Sequence, residues 1–319
     1  MEINKRTRYI LIGCITSIGI VVAAAVGYIQ MDKLDKLIFT ECYMEITLPE
    51  LQNSSDNETI QEIGGSEFQL KYITNIDETV EVIGISFDEV PGLTAIVKNE
   101  NNFTGFFIGE SNENKGTPHG RFAINTVRFS VQDTEQKIFN NLIRDNQSLE
   151  LNHITICALV NNKMKTYNHV NIGKIILIPT AKDESILERI SCTGVGSDDM
   201  NKNTEIYKVR KAVRLVSVTS PLLDTVQNSI QIKIGKTSYK DAVGMQFKEG
   251  EQISILSQTK RAKPDEPGYF GYQLVPTIVF EDTEGVQYKV QLSNMNYINT
   301  DSDFTAKGLR QYLSGKGEF

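Results

Sequence analysis

Ile38-Phe39-Thr40-Glu41-Cys42-Tyr43-Met44-Glu45-Ile46-Thr47-Leu48 alternates in steps of two. On an extended chain Ile38, Thr40, Cys42, Met44, Ile46 and Leu48 share one face and Glu41 and Glu45 the other, because successive strand side chains point to opposite sides. A helix would repeat at three and four, so the stretch predicts a strand with one buried and one solvated face. The same grammar recurs down the chain. Strands are predicted at Phe68–Thr74 and Thr79–Phe87, joined as a hairpin through Asn75-Ile76-Asp77-Glu78, then at Phe103–Ile108 and Arg121–Val131. Leu149–Val160 and Val170–Ile178 flank the turn Asn161-Asn162-Lys163. A helix is predicted over Thr134–Arg144, capped by Asp133, with Ile138, Phe139 and Leu142 on one face.

Between Ala181 and Thr204 the pattern fades into a polar, glycine-containing stretch, Ser191-Cys192-Thr193-Gly194-Val195-Gly196-Ser197 and onward. That composition predicts a linker over 181–204. Strand patterns resume at Glu205–Val218, Ile230–Ile234, Gln252–Gln258, Tyr272–Glu281 and Gln287–Leu292. Ser220-Pro221 predicts the start of a short helix, and Phe304, Leu309, Tyr312 and Leu313 a terminal amphipathic one. The expected fold is therefore mainly all-β: an N-terminal transmembrane helix, then β-sandwich domains of the immunoglobulin-like kind at 32–180 and 205–319, with a few short helices. Similar strand patterns in the two halves fit a duplication or convergence on one strand grammar.

Tyr9 to Met31 carries no charge over 23 residues, with Lys5, Arg6 and Arg8 before it. At ~1.5 Å per residue a helix there can cross a hydrocarbon core of about 30 Å, and the basic flank places residues 1–8 in the cytoplasm. Two alternatives stay open. Ala23-Ala24-Ala25 fits a signal-peptide cleavage site, and Leu11-Ile12-Gly13-Cys14 resembles a bacterial lipoprotein processing box.

Composition narrows the function. The first eight residues sum to +2, so the −7 of the whole chain becomes −9 beyond them, a surface ill suited to nucleic acid. Of four cysteines, Cys14 lies in the apolar run, and Cys42, Cys157 and Cys192 allow at most one internal disulfide. Folding is expected to need none. Richness in Asn, Ile and Lys, with no Trp, is compatible with a bacterial surface protein.

Few residues carry chemistry. His153, Cys157 and His169 could converge across a hairpin, but the spacing matches no zinc module, and the reading favoured is Cys157 as a small core residue with the histidines near the surface. Asp199-x-Asn201-x-Asn203 opens like a calcium loop, yet Thr204 stands where the turn needs glycine and Arg210 where the closing Glu belongs. No metal or cofactor is expected. No G-x-S-x-G elbow, phosphate-binding glycine loop or H-E-x-x-H helix occurs, so no catalytic residue is assigned. Two loops are candidate binding surfaces, Gly109–Gly120 with His119 and adjoining Arg121, and Lys260–Gly271 with Lys260, Arg261, Tyr269 and Phe270; the plainer readings are a flexible connection for the first and a long hairpin loop with its aromatics turned inward for the second. The expected role is binding or assembly at the cell surface, toward a protein or glycan and without catalysis. A surface-polymer hydrolase and a signalling subunit working through a membrane partner are the alternatives.

Overall fold

A computed structural model describes residues 33–48, 67–98, 116–133, 137–180, 186–197, 200–299 and 303–318. The expected membrane span at 9–31, the cytoplasmic tail, the strand Phe103–Ile108 and most of the loop at 109–120 lie outside the described residues. Among the described residues no helix is long and apolar enough to cross a membrane, and strands in several sheets dominate.

In chain order the strands are β1 (Ile38–Phe39), β2 (Cys42–Leu48), β3 (Glu67–Asn75), β4 (Val80–Phe87), β5 (Leu93–Lys98), β6 (Thr117–His119), β7 (Phe122–Asp133), β8 (Leu149–Val160) and β9 (Lys163–Pro179). The second half adds β10 (Leu187–Ser197), β11 (Met200–Val209), β12 (Val213–Thr219), β13 (Ile230–Ile234), β14 (Thr237–Ser238), β15 (Gln246–Phe247) and β16 (Gln252–Lys260). It ends with β17 (Gly271–Leu274), β18 (Thr277–Asp282), β19 (Gln287–Gln291) and β20 (Met295–Ile298). Helix α1 spans Lys137–Arg144 and α2 spans Ala306–Gly315.

An 11-stranded sheet runs β1-β3-β7-β5-β4-β8-β9-β2-β17-β20, with β6 paired to β7. It joins both halves of the sequence. β2 lies parallel to β9, from Cys42 opposite Gly173 to Leu48 opposite Pro179, and on its other side parallel to β17, with Tyr43 opposite Tyr272. The second half also builds a five-stranded sheet, β10-β11-β16-β13-β14, and a four-stranded one, β15-β12-β18-β19.

Three apolar clusters hold these layers. Leu70, Phe129, Leu151, Ile154 and Ile156 form the core of the first half. Leu215, Ile255, Tyr272 and Phe280 centre a second cluster that also takes Tyr43, Ile176 and Ile178 from first-half strands. In the third, Ile73, Phe122 and Ile124 meet Tyr269, Phe270, Phe304 and α2. Each large side chain fully buried in this way stabilises the fold by roughly 1.5–3 kcal/mol relative to exposure.

Several expectations change in the structure. Residues 187–197 and 200–209 are not a linker: β10 and β11 pair from Leu187–Val209 to Ser197–Met200, because alternating Ser, Thr and Gly can extend a ladder without apolar side chains of their own. β3 and β4 flank the predicted Asn75–Glu78 turn but do not pair; β7 takes β3, while β5 and β8 take β4. Tyr272–Glu281 splits at Val275-Pro276 between two sheets, since proline cannot donate to a ladder. Ser220 does not cap a helix; turns occupy 221–226. Glu45, expected on a solvated face, is fully buried because the second half packs against β2. The β8–β9 hairpin has the geometry its sequence implies, with Asn161 and Asn162 at φ +49° and +62°, the pair of left-handed residues that a tight turn of this type requires.

Candidate functional site

Among the described residues of the two candidate loops, the aromatics of the second turn inward, the plainer of the two readings that its sequence allows. Tyr269 and Phe270 are 7% and 5% exposed. Phe270 stacks on Phe304 at 4.8 Å and meets Tyr312 edge-on at 4.8 Å, and the Lys71 Nζ sits 5.8 Å above the Phe304 ring. Arg261 donates to Asn299 at 3.1 Å and pairs with Asp303 at 3.1 Å, so it secures the chain leading into α2, while Lys260 stays exposed. His119 lies half-buried in β6, and Gly120 approaches Ala306 of α2. These residues position α2; Tyr269 and Phe270 are withdrawn from any ligand because aromatic area is stabilised more by the apolar cluster than by water.

Two other places have geometry suited to function. The first is a histidine pair. Its rings, from His153 on β8 and His169 on β9, stack 3.9 Å apart and 7° from parallel. His153 Nδ1 lies 3.0 Å from Glu89 Oε1, which also accepts from the backbone N–H groups of Asn152 and His153. His169 Nδ1 lies 3.2 Å from Asp88 Oδ2, and Asp88 Oδ1 accepts from the Thr155 hydroxyl. Because an ionised carboxylate only accepts, the tautomer that suits these contacts carries its proton on Nδ1 and leaves Nε2 for another group.

The ladder between these strands is irregular at Leu151/His153 and at Ile154/Ile156. His169 takes φ +54°, uncommon without glycine, and Gly173 takes φ +85° where a Cβ would collide with the Cys42 carbonyl. Bulges thus carry His169 over His153, a re-aiming that spacing alone does not disclose. Beside His169 a groove of about 460 Å³ runs past Tyr167, Asn171, Tyr312 and Lys316.

Cys157 does not join the histidines in a metal site. It faces Thr166, with its sulfur 3.8 Å from the hydroxyl. Among the described residues no group of three or more His, Cys, Asp or Glu side chains could hold a metal ion. Burial pushes the Cys42 thiol up to about 12, which removes it as a nucleophile near neutral pH. Cys42, Cys157 and Cys192 are all free thiols.

The second place is the β10–β11 arm. β10 is an edge strand, paired on one side only among the described residues. From Glu188 to Ser197 its side chains are exposed apart from half-buried Ser191, with Ile190 at 49% and Val195 at 71%. Cys192, Gly194 and Gly196 line a groove of about 370 Å³, closed opposite by Asn201, Asn203 and Met295. The Cys192 sulfur lies 3.3 Å from Asn203 Oδ1, and Asn201 donates to the Asn296 carbonyl at 3.1 Å, so the groove wall is tied to β20. The stretch reads as a linker in the sequence because small polar residues and glycines dominate it, with Val195 the one large apolar side chain between Ser191 and Ser197.

No protein-family model matches the chain, and no curated protein matches it. Solved structures with matches include a protein of unknown function from Porphyromonas gingivalis W83, at 11% identity over 80% of this chain and 97% of that one, TM-score 0.21. The YadV chaperone matches at 7% identity over 82% of this chain and 99% of its own, TM-score 0.21. A marsupial T cell receptor matches at 12% identity over 81% of this chain and 61% of its own, TM-score 0.19. Similarities of this size carry no argument about the site.

Proposed function

We propose that this chain is a membrane-anchored, extracytoplasmic binding or assembly protein, held by residues 9–31 with residues 1–8 in the cytoplasm. In this reading the outside part forms immunoglobulin-like β-sandwich units, the first over 32–180 and the second from Ile186 onward. Its partner is a protein or a glycan, and it performs no catalysis. The observation that supports binding is the long, exposed, one-sided strand β10 with Ile190 and Val195 turned to solvent. Exposed apolar side chains on an unpaired strand are an aggregation hazard that surfaces without a partner avoid.

Proximity labelling on intact cells tests this reading, comparing the full chain with a version ending at residue 36. The full chain is expected to label a distinct set of surface neighbours; the same labelling from both would sink the binding role. Retention of residues 1–25 and membrane fractionation through a high-salt wash test the anchor, because salt strips proteins held only by charge. A mature chain starting at Val26 or at a lipid-bearing Cys14 would replace it with secretion or lipidation.

The histidine pair favours a second reading, an extracytoplasmic hydrolase. An imidazole held at Nδ1 by a carboxylate presents Nε2 as a general base, and His169 borders a groove. Hydrolysis of surface polymer that disappears in both His153→Gln and His169→Gln would establish it. Unchanged hydrolysis in both variants would remove it.

A further inference from the structure

Among the described residues, the outermost strands of the three sheets are guarded, except one. β1, β14 and β15 are two residues long, β20 is four, and β19 is five with Lys289 at its centre. Short strands and lysines are the usual means of blunting an edge against pairing with another chain. β10 has 11 residues, and its guards, the charged Glu188 and Arg189 and a register shift between Arg189 and Ser191, lie together at one end. Beyond that shift, Ser191–Ser197 pairs regularly with β11 along one side. Seven residues in extended form span about 23 Å, enough for a full added strand.

Its chemistry narrows what can pair there. From Ile190 to Ser197 the strand holds no charge and no proline. Toward the groove it presents Cys192, Gly194 and Gly196, and a side chain placed at Gly194 would meet nothing within 4 Å. An incoming strand therefore gains main-chain hydrogen bonds along the edge and can lower every second side chain over the glycines into the groove. Lys202 is the one charged residue of the lining, so a charged side chain there would lie mostly among amide, hydroxyl and apolar groups, at a desolvation cost that an uncharged one avoids. Backbone pairing supplies affinity in such an arrangement, and the alternate side-chain positions supply selectivity.

We propose that the outer edge of β10 receives an extended, uncharged segment of a second protein, which adds as a sixth strand to the five-stranded sheet. The inference rests on the binding role above and specifies its partner as a strand. It excludes a folded surface or a glycan at this place.

Crosslinking by register tests it on the full chain in its native membrane. A photoreactive benzoylphenylalanine is placed in turn at Ser191, Thr193, Val195 and Ser197, with Met164 and Val243, both exposed elsewhere, as reference positions. Strand addition predicts adducts from all four β10 positions on one short partner segment, the attachment point moving about two residues per step in a constant direction. Adding Val195→Lys is expected to reduce the Thr193-position adduct at least tenfold while the urea midpoint stays unchanged. Scattered attachment points, or attachment to β10 of a second copy of this chain, would overturn the strand partner. Adducts from Met164 or Val243 alone would overturn it and leave the binding role standing. Silence at all six positions would remove both.

Discussion

β2 and β10 face the same physical problem with opposite outcomes. Each is a strand whose second row of backbone groups needs partners. β2 receives them from within the chain: β17 pairs at Tyr272 and Gln273, and the Gln273 side chain donates to the Glu45 carbonyl at 3.0 Å. The Glu45 carboxylate, fully buried, accepts from the Ser220 hydroxyl at 2.5 Å and from the N–H groups of Leu222 and Val275 at 2.7 and 2.8 Å. Three donors satisfy the charge, which is how a carboxylate survives burial without a cation beside it. β10 has no such closure among the described residues. The closed edge joins the two halves and the open one is where the proposed strand partner would add, so on that proposal the same ladder chemistry serves cohesion in one place and recognition in the other.

The largest expected effect comes from breaking the closed side. Glu45→Ala removes the acceptor shared by three donors, two of them backbone groups without an alternative, and leaving each buried and unpaired costs about 1–3 kcal/mol. A loss of about 3–5 kcal/mol in urea unfolding is expected. A change below ~1 kcal/mol would mean that Glu45 does not hold the halves together.

Next is the aromatic cluster that fixes α2 over the first half. Phe270→Ala is expected to lose about 3–4 kcal/mol through lost burial and the cavity left behind. Protease sensitivity near residues 303–318 should rise with it. Stability retained in this variant would mean that the ring does not sit in the aromatic cluster.

A buried acid away from the seam sharpens the comparison through pH. Lys211 lies 2.6 Å from Asp282, and Tyr288 and the N–H groups of Glu284 and Val286 also donate to it. Hydrogen bonding from Lys211 in particular holds the Asp282 carboxyl well below its ordinary value of 3.8. Its contribution is therefore complete above that ordinary value and fades as pH falls further toward the depressed folded value, because the unfolded chain takes up the proton first. Comparing urea midpoints at pH 7 and pH 3, the native chain should lose more than Asp282→Asn does. Parallel losses would show that the Lys211 contact does not persist in solution.

The smallest effect is expected at the open edge. Val195→Lys and Cys192→Ser alter only exposed groups and should stay within about 0.5 kcal/mol of the native chain. A loss above ~1.5 kcal/mol in either would mean that something within the chain already covers β10.

How much was readable follows from where side chains point. Ile38 to Leu48 announces its strand because one face is uniformly apolar, and Asn161-Asn162 announces its turn because few residues accept a left-handed backbone. The buried role of Glu45 was hidden, since its partners Ser220, Leu222 and Val275 lie more than 170 residues away. The arm reads as a linker for a related reason: Ser191 to Ser197 extend by pairing with Ile206 to Met200, not by apolar pattern. Tyr269 and Phe270 looked like a binding loop until Phe304 and Tyr312 supplied the rings they stack against. His153 and His169 were singled out by residue type, yet the bulges that superimpose them belong to backbone geometry.

The seam at Glu45 also sets an order of events during synthesis. Val275, one of its donors, is made 230 residues after it. At about 5–20 residues per second the ribosome needs on the order of tens of seconds to supply that partner. Throughout that interval the side of β2 destined for β17 is bare, and the carboxylate stays hydrated. Completion of the central sheet thus waits on the last fifth of the chain, a long-range closure of the kind that folds slowly. An early stop after residue 270 would release a nascent product in which β2 and β12 are left open alongside β10.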